Sequence, residues 1–282
     1  MKTFRILAIS FAGLAFAGLA QAAGGAKHPH EPEGGWPFEG ATGQYDLASV
    51  QRGYQVYKQV CSNCHSMKLL SYRNLGEEGG PFYDPAYPNP NDNPYVKTIA
   101  REFEVSDIDP ETGDMVKRPA TPADRFPDPY PNEAAARAGN GGALPPDFST
   151  LSKARKNGPD YVYSLMSGYV DPPAGLEVPS GQYYNPYMSG DVSAFWKGQG
   201  KAPKGGFIAM PPQLAADKVS FDDGTKSTIE QQAKDVAAFM AWVSEPKLEE
   251  RKAFGVGAMV YLLILAGLLY VSYRRIWRNV AH

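Results

Sequence analysis

Three stretches of the 282-residue chain carry helical spacing. In the first, Leu47, Val50, Tyr54, Tyr57 and Cys61 recur at intervals of three and four behind Asp46, whose carboxylate can cap the first turn. In the second, Gly158-Pro159-Asp160 opens a helix over Tyr161 to Tyr169, with proline in the first turn. The third has Ile229, Ala233, Val236, Ala237 and Met240 on one face, Ser227 and Glu230 as a capping box, and Pro246 as its stop. Two further stretches, Ile6 to Leu19 and Ala253 to Ser272, are apolar all round.

The intervening sequence lacks period. Ala23 to Gly43 reads as a loose lead-in. Gly76 to Pro146 holds eleven prolines between Pro81 and Pro131, and reads as a long ordered loop with room for short helices. Gly175 to Gly206 reads as a turn-rich, aromatic loop, and Lys247 to Lys252 as a short charged linker. The pattern predicts a mainly α protein: a helical domain with long irregular insertions, and one C-terminal transmembrane helix.

The two apolar runs differ in length and flanks. The first follows Lys2 and Arg5 and ends at Ala20-Gln21-Ala22, the form of a secretory signal peptide cleaved after residue 22. The second is 20 uncharged residues, which as a helix spans about 30 Å, the thickness of the hydrocarbon core. Basic flanks of similar strength, Arg251-Lys252 and Arg274, Arg275 and Arg278, leave the orientation to the signal peptide. The expected order is an exported domain over 23–250, an anchor over 253–272 in the cell inner membrane, and a short cytoplasmic tail over 273–282. The domain would then face the periplasm.

Counting charge per compartment changes the picture. The whole chain carries −2, but residues 23–250 hold all thirty acidic residues and twenty-one of the twenty-eight basic ones, which leaves −9. That balance argues against nucleic acid and suits a basic soluble partner.

Both cysteines sit at one place, Cys61-Ser62-Asn63-Cys64-His65, a C-x-x-C-H motif of c-type haem attachment. Two thiols add across the vinyl groups on one porphyrin edge, and the histidine beside the second thiol is carried under the ring to bind iron. A thioredoxin-like pair would open a helix after a strand, whereas this one closes a helix. A zinc site needs more ligands, and the other histidines are His28 and His30 in the lead-in and His282 at the end. One haem is therefore expected, and His28 and His30 are expected to be solvated.

A haem that only transfers electrons takes a sixth ligand, commonly methionine. Met67 is too close to His65 to reach the opposite face, Met115 lies in the proline-rich loop, and Met166 and Met240 fit helix faces. Met210, in Met-Pro-Pro, and Met188, in the aromatic loop, remain as candidates. Arg73, Arg137 and Arg155 could pair with propionates.

The residues resemble the cytochrome c1 family, the haem subunit of the ubiquinol–cytochrome c oxidoreductase (bc1) complex, in its bacterial form. The stretches that carry the resemblance are Cys64-His65-Ser66-Met67-Lys68 with Tyr72-Arg73, Asn140 to Asp147, Asp160-Tyr161-Val162, Tyr184-Asn185-Pro186-Tyr187, Met210-Pro211-Pro212, Phe221 to Thr225, and Trp242 with Glu245-Pro246. The resemblance implies haem c on Cys61 and Cys64, His65 and Met210 as axial ligands, and Arg155 and Tyr161 near the haem. It implies cytochrome b, the Rieske iron–sulfur protein and cytochrome c as partners in a dimeric complex. The implied activity is one-electron transfer from the Rieske protein to a soluble or anchored cytochrome c. A stand-alone anchored cytochrome serving a terminal oxidase would share the motif. The segment between Tyr187 and Met210 is longer than in the mitochondrial forms, and no cysteine remains to brace it.

Overall fold

The computed structural model describes residues 25–279. The signal peptide expected over 1–22 lies outside them. The described chain is mainly helical: α1 (Leu47–Val56), α2 (Pro94–Arg101), α3 (Glu133–Gly139), α4 (Gly158–Ser167), α5 (Ile229–Ser244) and α6 (Leu248–Trp277). Two short antiparallel hairpins complete it. Strand β1 (Glu104–Ile108) pairs with β2 (Met115–Pro119), and β3 (Tyr183–Asn185) with β4 (Gly206–Ile208).

Helix α1 begins where Asp46 accepts hydrogen bonds from the backbone N–H groups of Ala48 and Ser49. It ends in one wider turn, Tyr57–Cys61, in which the Ser62 N–H reaches back to the Tyr57 carbonyl at 2.9 Å. Helix α1 crosses α5 at Gly53, so closely that a Cβ there would lie 2.0 Å from the Asp235 carbonyl oxygen. Beside the crossing, Asp235 is fully buried, and it accepts from Arg52 Nε at 2.8 Å and Ser49 Oγ at 2.6 Å. Arg52 also reaches Asp223 at 2.7 Å. Tyr54, Tyr57, Phe239 and Trp242 fill the core around this contact, and α4 also packs against α5.

Several expectations need correction. The lead-in is docked, because Trp36 and Phe38 are buried and the Trp36 indole donates to Asp160 at 2.6 Å. Single aromatic anchors held the segment, and they leave no period to read. His28 is exposed as expected. His30 is exposed too, but its ring meets Tyr163 and Tyr187 edge-on, and its backbone bonds the Ser164 hydroxyl. The proline-rich loop contains α2, the β1–β2 hairpin and α3. The aromatic loop runs into the β3–β4 hairpin. Helix α4 starts at Gly158 and stops at Ser167, earlier than the expected Tyr161 to Tyr169. The cap of α5 is Thr228, which accepts from the Gln231 N–H, rather than Ser227. Ser227 is buried and accepts instead from the Gln232 side chain at 3.0 Å.

The charged linker is also helix, since α6 starts at Leu248. Its first turn is fastened to the domain: Lys252 donates to the carbonyls of Phe38 and Gly43, and Glu249 accepts from the Tyr45 N–H at 2.9 Å. The rest of α6 is exposed, and it is long and apolar enough to cross a membrane.

Gly53→Ala tests the crossing. A methyl group there must push α1 and α5 apart, and overpacking of this kind costs about 1–3 kcal/mol or more. Urea unfolding should show a lower midpoint with an unchanged slope.

Candidate haem site

The wide turn that ends α1 delivers the motif as one compact unit. The His65 and Cys64 N–H groups both donate to the Cys61 carbonyl, at 2.9 and 3.1 Å. Cys61 is buried and Cys64 half-buried, and they form no disulfide. Burial pushes the Cys61 thiol up to about 12, despite the opposing charge of Lys218. It therefore stays a neutral thiol, unlike the low-pKa thiolate of a redox catalyst.

His65 is held from several directions. Its ring stacks on Phe148 with centroids 4.3 Å apart, and the Tyr57 hydroxyl meets its carbonyl at 3.4 Å. Its Nδ1 lies 2.8 Å from the Pro146 carbonyl oxygen. A carbonyl only accepts, so Nδ1 carries the proton and Nε2 keeps its lone pair. Burial holds the ring below the usual histidine pKa, outweighing the Pro146 bond and the charge of Asp147, so the imidazole is neutral. Among the described residues, none bonds Nε2. A fixed tautomer with a free Nε2 is what an iron ligand requires.

The segment that presents Pro146 is tied to the motif by Asp147. This carboxylate accepts from Ser66 Oγ at 2.8 Å, the Lys68 N–H at 2.9 Å and the Ser149 N–H at 2.8 Å. A cavity of about 480 Å³ opens beside Cys64, bordered by Tyr130, Leu144, Pro145 and Pro146. Two free thiols and an imidazole with an open nitrogen fit a covalently held haem.

On the methionine side, Met67 and Met240 are core residues, Met166 packs against the core, and Met115 is 70% exposed on β2. Met210 follows β4 directly, and its carbonyl accepts from the Tyr169 hydroxyl at 2.8 Å. Met188 Sδ lies 3.8 Å from the Tyr161 hydroxyl. Tyr161 has Arg155 as its other neighbour. Burial raises the phenol, and the bond and charge of Arg155 pull against that shift without cancelling it. Arg155 and Tyr161 are therefore brought together. Arg73 is exposed, and Arg137 is exposed and donates to the Gly142 carbonyl at 3.2 Å. Pro146, Phe148, Asp147 and Tyr169 were not picked out individually as supports. Their contacts join segments far apart in sequence, and no local spacing marks them.

A mainly helical domain in which α1 packs on α5, this motif, and a C-terminal helix long and apolar enough to cross a membrane define a protein of the c-type cytochrome class. The chain belongs to the cytochrome c1 family, whose model matches residues 36–280. That family is the electron-transfer subunit of the bc1 complex. The chain is 42% identical over 277 residues to the mitochondrial cytochrome c1 1 heme protein of Arabidopsis thaliana, covering 98% of this chain and 81% of that one. It is 39% identical to cytochrome c1 of Rhodospirillum rubrum, over 95% and 94% of the two chains. It is 38% identical to cytochrome b/c1 of Bradyrhizobium diazoefficiens, over 97% of this chain and 39% of that longer protein.

Asp147 gives a pH prediction. Burial alone would raise its pKa, but the bonds from Ser149, Lys68 and Ser66 outweigh it and lower the value in the folded state. Its contribution is thus present above the ordinary carboxylate pKa and is lost as pH falls through the lowered one. Asp147→Asn should be less stable than wild type at neutral pH, and the gap should narrow below pH ~4, near the unfolded aspartate pKa, as read by thermal melts across pH.

Proposed function

We propose that this chain is the haem-bearing relay of a bc1 complex, taking one electron at a time from the Rieske iron–sulfur protein and passing it to a soluble or anchored cytochrome c. The observation that carries the reading is the His65 ring, whose Nδ1 is committed to Pro146 and whose Nε2 is open, beside two free thiols in a cytochrome c1 chain. Cys61 and Cys64 would hold one haem c through thioether links, and His65 and Met210 would be its axial ligands. Bound haem supplies a one-electron couple.

The protein's own part is to hold those ligands still and keep water out. Phe148 and Pro146 fix the imidazole, and Tyr169 fixes the Met210 backbone. Arg155, beside Tyr161, would face a propionate. Two occupied axial positions leave no site for oxygen, so no substrate bond is made or broken here.

The domain would lie on the periplasmic side of the inner membrane, anchored by α6, beside cytochrome b in a dimeric complex. The exported-segment pattern at the N-terminus and the family support this placement. The −9 balance of residues 23–250 suits a basic cytochrome c as acceptor.

Met210→Leu tests the ligand set. The optical band that marks methionine sulfur on iron should vanish. The potential should fall by roughly 0.1 V or more, within the ~0.8 V that axial ligands span. An unaltered spectrum would move the assignment to Met188. Electron transfer to a basic cytochrome c should slow as ionic strength rises past about 0.1 M, where the Debye length shrinks below about 10 Å. A rate independent of salt would refute electrostatic docking.

A further inference from the structure

The segment between β3 and β4 folds against a core of its own. It is stitched to the chain before β3, because Trp196 bridges Leu176, the Glu177 N–H donates to the Phe195 carbonyl at 2.9 Å, and the Lys197 N–H donates to the Gly175 carbonyl at 2.7 Å. Beneath these bonds lies an apolar cluster separate from the main core. Leu176, Tyr184 and Val192 are buried in it, and Val178, Trp196 and Phe207 pack around them. The Tyr184 hydroxyl bonds the Lys204 carbonyl and closes the far end.

Glycine makes room for the indole. A Cβ at Gly198 would come within 2.2 Å of the Trp196 ring. At Gly175, where φ is +95°, a Cβ would lie 2.8 Å from the Gly198 nitrogen. The chain therefore approaches the ring where a larger residue would block it, which marks a fitted contact.

The cluster connects to the haem site through one strand. Phe207 is the central residue of β4, it packs edge-on against Phe195 at 5.2 Å, and Met210 follows three positions later. Between β4 and α5 the chain has no helix or strand, and it rejoins the main core only at Leu214, where the Gln232 side chain bonds the Ala215 carbonyl at 2.7 Å. Nearest to Met210, the Tyr169 hydroxyl bonds its carbonyl and Phe207 is seated in the cluster.

We propose that Trp196 is a positioning residue for the Met210 sulfur: the Trp196 cluster seats β4, and β4 holds the thioether in place. This rests on Met210 being the axial ligand. The cluster stands apart from the α1–α5 core, so loosening it should free the methionine without unfolding the domain.

The test compares full-length, detergent-solubilised haem protein of wild type, Trp196→Ala, Trp196→Phe and Met210→Leu. Three readouts are needed: the methionine–iron band against temperature, carbon monoxide binding to the reduced protein, and helical circular dichroism. In Trp196→Ala the helical melt should stay close to wild type. The band should disappear at a lower temperature, and carbon monoxide should bind roughly tenfold faster, the factor that corresponds to about 1.4 kcal/mol. Trp196→Phe should fall between the two. If Trp196→Ala fails to take up haem, Val192→Ala in the same cluster should give the smaller shift in the same direction. If Met210→Leu loses the band while both cluster variants match wild type, the positioning role is overturned and the ligand stands. If Met210→Leu keeps the band, the ligand assignment falls and the positioning role falls with it.

Discussion

The structure depends on how closely α1 can approach α5. Gly53 lets the two backbones touch, and the pair of half-buried Arg52 and fully buried Asp235 beside it fixes the register of the crossing. Taking a carboxylate out of water is costly, and breaking such a pair leaves an uncompensated buried charge. A crossing with this pair at its edge therefore resists sliding along either helix. Since the wide turn that continues α1 ends at Cys61, whatever fixes α1 also fixes the direction in which the two thiols and His65 leave it. Precision at the attachment edge begins at a glycine two helical turns away.

From there the chain does something different on each side of the site. The histidine side is short-range and crowded. The turn at Cys61, the stack on Phe148 and the bonds through Asp147 lie within a few residues of His65 or within one neighbouring segment. The methionine side is built from chain that returns after a long excursion. It relies on a small separate cluster and one tyrosine hydroxyl. Two supports of unequal stiffness suit an electron carrier. Little would have to move when charge changes, and Met210, as the sixth ligand proposed above, would have its own brace.

Much of this was legible in the residues. The 3,4,3,4 spacing before Cys61 gave α1 with its cap. Its continuation into Cys-x-x-Cys-His marked the candidate site, because covalent attachment demands a fixed spacing that few other chemistries share. The long apolar helix α6 was legible from length and absence of charge alone. The hairpins and the docked lead-in were not. Strands β3 and β4 are three residues each, too short to show alternation. Trp36 and Phe38 act as single plugs and generate no period. The cap of α5 was missed by one residue, because Ser227 and Thr228 are both good caps and only burial separates them. The carbonyl of Pro146 was illegible for a deeper reason: a backbone oxygen has no identity in the sequence.

The join between domain and membrane helix bears on function. Only Glu245, Pro246 and Lys247 separate α5 from α6. Glu245 takes Lys153 at 2.7 Å and also bonds Arg251, while Tyr45, Lys252 and Leu248 pin the first turn of α6 to the domain. A flexible linker would let the domain swing over the bilayer, so that its distance to any fixed neighbour would vary. This joint removes most of that freedom. Lys153 also lies two positions before Arg155, so the ion pair that secures the anchor secures the turn carrying a residue of the candidate site. The same contacts that fix the domain against the start of α6 thus help to keep the site in one shape.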